Sequence, residues 1–172
     1  MTDYGPGELK LIGPARPDKK ARPMSTRTRA RKRAIDILFE AEVRRVEPGT
    51  VLAERTAEGA TPPVREFTRE LVQGVVAHLA EIDARIVPRL AAGWTLERMP
   101  RIDRITTRIA VFEIDHTDIP AAVAIAEAIE LVDELSTDDS RVFVNGVLGR
   151  IADEPLTRRP DPGPPSAAAD AD

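Results

Sequence analysis

Apolar residues recur every three or four positions from Val64 through Phe67, Leu71, Val75, Leu79, Ile82 and Ile86 to Leu90. That period is the signature of one buried helical face and is incompatible with the two-residue alternation of a half-buried strand. The same spacing returns in Ala30, Ala34, Ile37, Leu38 and Ala41, and again in Ile102, Ile105, Ile109 and Phe112. It is found a fourth time in Ala121, Ile125, Ala128, Val132 and Leu135, and last in Phe143, Val147, Leu148 and Ile151. The expected fold class is therefore all-α.

Punctuation between these runs sets the expected boundaries. Pro48-Gly49 should stop the first helix, and a short second element is expected from Thr50 to Glu58, before Gly59 and Pro62-Pro63. Asp83 and Pro88 suggest a break or kink in the long third run. Gly74 costs that run about 1 kcal/mol relative to Ala, which is tolerable where another helix crosses closely. Asp118-Ile119-Pro120 should open a further helix, and Ser136-Thr137-Asp138-Asp139 reads as a capping box with Asp in place of Glu. Arg141 to Gly149 could also be a hairpin about Asn145-Gly146. Such a hairpin would have no sheet to join, so helix is expected there.

With 172 residues, 42% of them hydrophobic, the chain supports one domain with a real core. The expected layout is a disordered extension over residues 1–24, a helical domain over 25–153 and a disordered Pro/Ala/Asp-rich tail over 154–172. Met24 stands where order should begin and offers an alternative start. The absence of cysteine excludes disulfides, thiol catalysis and Cys-based metal sites. No apolar run approaches the ~20 residues of a membrane span, and no secretory signal opens the chain, so a cytoplasmic location is expected.

Charge is distributed unevenly. Residues 1–33 hold ten Lys/Arg against three Asp/Glu, a balance of +7 in a chain of net charge −4, so the remainder sums to −11. Arg27, Arg29, Arg31, Lys32 and Arg33 crowd the start of the first helix, where they oppose its dipole. At about 100° per residue they point widely around the axis, which suits a segment ordering on single-stranded RNA. Such a block attracts polyanions by counterion release, while the acidic body resists non-specific binding. Of Tyr4, Phe39, Phe67, Trp94, Phe112 and Phe143, most are core candidates by default, and Phe39 and Phe143 are the candidate base-stacking aromatics.

Catalytic patterns are wanting. His78 and His116 stand far apart in the sequence without ligand-like spacing. The first reads as a helix-surface residue and the second as a loop residue, so neither is expected to bind metal. No P-loop, dinucleotide fingerprint or nucleophile elbow occurs. The chain is not expected to be an enzyme or to carry a cofactor.

Several segments resemble the NusB family of bacterial transcription antitermination factors. They are Arg29 to Glu40, Ile102-Asp-Arg with Arg108 to Ile114, Ile119-Pro with Ala124 to Leu131, and above all Leu135 to Gly149. The resemblance, over about Thr26 to Ala152, implies two small three-helix bundles packed across each other. It further implies binding of the single-stranded boxA RNA of ribosomal RNA leaders. The implied partners are NusE, a small-subunit ribosomal protein, and an antitermination complex on RNA polymerase. On this resemblance Arg27, Arg29, Arg31, Lys32, Arg33, Phe39, Asp139 and Phe143 would meet RNA, and Asp103 would meet NusE. Ala126, Asp133 and Val142 depart from the family pattern. Some relatives form homodimers, and the sequence leaves monomer or homodimer open. NusB-like domains also precede some RNA cytosine methyltransferases, but about 20 residues after this domain leave no room for that fold. A helical interaction protein whose basic arm serves only solubility is the remaining alternative.

Overall fold

A computed structural model describes residues 24–154 together with Leu156. The expectations for the N-terminal extension up to residue 23, Tyr4 included, and for the rest of the tail lie outside the described residues. Among those described, seven α-helices follow one another with no strand: α1 (Thr26–Arg44), α2 (Pro48–Thr56), α3 (Glu66–Ala77), α4 (Leu79–Ile86), α5 (Arg101–His116), α6 (Ala121–Leu135) and α7 (Ser140–Ala152). Two 3-10 turns, Val87–Arg89 and Leu96–Arg98, lie between α4 and α5.

The first three helices pack on one another, as do α5, α6 and α7; α4 braces α5 and α7. The two trios meet where α1 and α3 lie against α5. One continuous core runs through both, from Ile35, Ile37 and Leu71 across Ile105, Ile109 and Phe112 to Leu131, Leu148 and Ile151. Gly74 marks the tightest part of that meeting. A Cβ placed there would lie 2.1 Å from Phe112 Cζ, so only glycine lets α3 approach the ring on α5.

Several boundaries differ from the expectation. α1 ends at Arg44, where Arg45 turns left-handed with φ 55°, and Pro48 begins α2 rather than ending α1. Proline lacks the N–H that a first helical turn leaves unpaired, so it suits this position. The break in the long apolar run falls at His78, not Asp83. Asp83 stays helical within α4 and accepts two hydrogen bonds from Arg108 on α5, both 2.8 Å. Pro88 does end the helical run, in the first 3-10 turn. The Arg141 to Gly149 stretch is helix, because that period buries Val144, Val147, Leu148 and Ile151 together. Its cap is also different. Asp139 makes no side-chain cap; instead Ser140 Oγ accepts from the Thr137 N–H at 3.2 Å.

Candidate nucleic-acid interface

Ser25 caps α1, its Oγ accepting from the Thr28 N–H at 3.0 Å. The basic block is helical from Thr26 onward. Its inward face buries Ala30, Ala34, Ile37, Leu38 and Ala41. The cations consequently divide by direction.

Arg31 points inward and is 2% exposed. Its Nη2 lies 2.6 Å from Glu113 Oε1 and its Nε 3.1 Å from both Glu113 oxygens, with Glu113 itself 1% exposed. Its Nη1 lies 3.2 Å from Glu127 Oε2, which also accepts from Thr28 Oγ1 at 2.8 Å. Burial pushes the Glu113 carboxyl above the usual range, and Arg31 opposes that shift. Arg31 therefore anchors α1 to α5 and α6. Arg31 is expected to meet RNA, yet here its guanidinium is enclosed between two carboxylates and turned away from solvent. Arg27 is exposed but leans toward α3, its guanidinium carbon 5.0 Å from the Phe67 ring centre.

The remaining cations do share a face. Exposed or half-buried positions on α1 recur at Arg29, Lys32, Arg33, Asp36, Phe39 and Glu40. The five cations thus do spread around the axis as the sequence leads one to expect, with three of them sharing this outward stripe and Arg27 and Arg31 directed elsewhere. Arg29 is exposed, and Lys32 Nζ reaches Glu134 at the end of α6, 2.5 Å away. Arg33 is half-buried, and its Nε has no hydrogen-bond partner among the described residues. Phe39 is half-buried under Arg101 of α5, whose guanidinium carbon is 5.5 Å from the ring centre.

Lys32 leads to the junction of α6 and α7. Asp139 is exposed there, and Phe143 lies half-buried one turn later. Trp94, expected in the core, is instead 43% exposed and packs on Phe143 with ring centres 5.3 Å apart. Arg98 lies over its ring at 5.9 Å. Periodicity could not have revealed Trp94, which follows Gly93 in an irregular segment outside every helical run.

Asp103, expected to meet NusE, lies inside the fold. It is 1% exposed and accepts from Ser136 Oγ at 2.5 Å, and Ser140 Oγ lies 3.0 Å from Ser136 Oγ. Its carboxylate fixes the α6–α7 junction from within and presents no charge to a partner.

The two histidines meet in space. Their rings stack with centres 3.9 Å apart, and His116 closes α5 rather than lying in a loop. Burial first, and then neighbouring His78, holds the His116 imidazole below its ordinary range.

Two linked helical trios, with the first helix pinned inward by one arginine and displaying other cations outward beside aromatics, define a small two-bundle helical protein. The chain belongs to the NusB family, whose model matches residues 28–153. A transcription antitermination protein NusB of Acidothermus cellulolyticus is 50% identical over 145 residues, 83% of this chain and 99% of that protein. Among solved structures, T. maritima NusB is 35% identical with a TM-score of 0.68, covering 76% of this chain and 93% of its own. Another holds antitermination factors NusB and NusE in complex with dsRNA. It is 26% identical with a TM-score of 0.64, covering 75% and 98% of the two chains.

Proposed function

We propose that this protein is a non-catalytic, RNA-binding adaptor of transcription antitermination. It takes single-stranded boxA RNA of ribosomal leader transcripts together with NusE, within an antitermination complex on RNA polymerase. The observation that carries this reading is the outward stripe of α1, where Arg29, Lys32 and Arg33 stand on the same face as Phe39. Cations track a phosphate backbone, and half-exposed rings accept bases by stacking. Lys32 joins the stripe to the α6–α7 junction, where Asp139, Phe143 and Trp94 extend it.

NusE enters through relatives: the NusB–NusE–dsRNA complex shares this fold. Asp103 would affect that partner only indirectly, by holding Ser136.

Fluorescence anisotropy with labelled boxA and scrambled RNAs, each with and without NusE, tests the reading. Preference for boxA that NusE strengthens, and that Arg29→Ala with Arg33→Ala weakens, is expected. Equal binding of both RNAs by the native chain with NusE present would sink it.

A further inference from the structure

Three donor atoms converge where α3 gives way to α4 and where α5 ends. His78 Nδ1 lies 3.2 Å from Glu81 Oε2, and His116 Nε2 lies 3.5 Å from that same oxygen. All three donors fall within 4.8 Å of one another. We propose that His78, Glu81 and His116 form a binding site for a divalent transition-metal ion of the zinc class, with a further coordination position open to water.

The spacing supports this chemistry. A tetrahedral ion with bonds of about 2.0–2.1 Å sets its donors about 3.4 Å apart. Two of the three edges of this triangle stand close to that length. The set of two imidazoles and one carboxylate is also one that open zinc sites use. The rings lie 25° from parallel. Histidine's second torsion is broad, so both rings can turn toward a shared ion while their helices stay in place.

The surroundings leave the site both backed and reachable. The Phe112 ring stacks 5.7 Å from His116 and 6.1 Å from His78, forming an apolar wall behind them. Glu81 is largely exposed, which gives an entry path. Neighbouring Asp115 is committed to Arg85, 2.9 Å away, and is not a further ligand. A bound ion would tie the α3–α4 break to the last turn of α5. His116 lies one turn beyond Glu113, the carboxylate that anchors α1, so the ion would brace that anchor.

The composition makes the test clean. His78 and His116 are the only histidines in the chain, and there is no cysteine, so an imidazole-bound ion has one place to sit. Tag-free full-length protein, stripped with chelator, is titrated with zinc chloride by calorimetry and with cobalt(II) by visible absorption. One ion per chain is expected, with the intense cobalt spectrum of a four-coordinate site. Glu81→Gln and His116→Gln should each weaken zinc by about tenfold or more, the scale on which changes around a metal's ligands act. Zinc should raise the melting temperature of the native chain and not of His116→Gln, because only a ligand of the folded state stabilises it. Circular dichroism establishes that each variant is folded before it is scored; Glu81→Gln, at an exposed site, is the second route if His116→Gln is not. Absence of saturable one-to-one binding, or equal zinc affinity in a folded variant, would overturn the proposal.

Discussion

Arg31 and Arg29 stand two positions apart on α1 and face opposite surroundings, so replacing each tests a different property. Arg31→Ala leaves Glu113 buried without its bidentate partner, a loss expected to destabilise by about 3–5 kcal/mol. Arg29 is exposed, so Arg29→Ala should change stability by no more than about 0.5 kcal/mol while weakening RNA binding. Urea unfolding beside RNA anisotropy separates the two, and similar urea midpoints for both variants would contradict the assignment. Gly74 offers a second residue-scale prediction. Gly74→Ala drives a methyl into the Phe112 ring, and overpacking of this kind costs about 1–3 kcal/mol. A thermal melt unchanged by that substitution would show that α3 and α5 can part there freely. The sequence identified Gly74 as a place for close crossing, but not the ring it meets. Helical spacing does set Arg31 within about 20° of Leu38 on the apolar face, but it could not name the partners Glu113 and Glu127, which belong to helices far along the chain.

Between elements, α1 is held to α2 by charge. Glu40 pairs with Arg44 at 2.9 Å and with Arg55, while Arg44 lies 2.6 Å from Glu54. Hydrogen bonds from Arg55 and Arg44 hold Glu40 below the usual carboxylate range, and Arg44 does the same to Glu54. A depressed folded-state pKa means that the unfolded chain takes up the proton first on acidification. The contribution of this network is therefore present at neutral pH and is lost as pH falls through the two depressed values. Arg44→Met should flatten that acidic limb of the stability profile, measured by urea midpoints at a series of pH values. An unchanged limb would show that solvent screens the network fully. Helix existence was legible here from apolar period alone, in all five periodic runs. Boundaries were less so. Pro48 serves as starter, and Asp83 remains inside α4, because local propensity yields to a favourable first turn and to Arg108.

At the scale of the whole molecule, the two trios turn a diffuse charge imbalance into a directed surface. Packing α1 onto α5 and α6 consumes Arg31, turns Arg27 toward Phe67 and leaves Arg29, Lys32 and Arg33 outward. Helical period sets Arg27 and Arg31 on the apolar side of α1 and the other three away from it, but the groups that receive the two inward arginines belong to other helices and are not legible from that period. The net −11 of the chain beyond residue 33 opposes any polyanion approaching elsewhere. RNA binding should therefore show a salt dependence that reports a small number of contacts rather than the whole basic end. For a single strand, each phosphate contact contributes about −0.7 to the slope of log affinity against log salt. If Arg29 and Arg33 each meet one phosphate, changing both to Ala should make that slope shallower by about 1.4. Lys32 must leave Glu134 to reach RNA, so Lys32→Ala should have a smaller effect than either arginine. Anisotropy titrations across a salt series provide the measurement. A slope unchanged in the double variant would move the phosphate contacts off α1 and onto another surface of the protein.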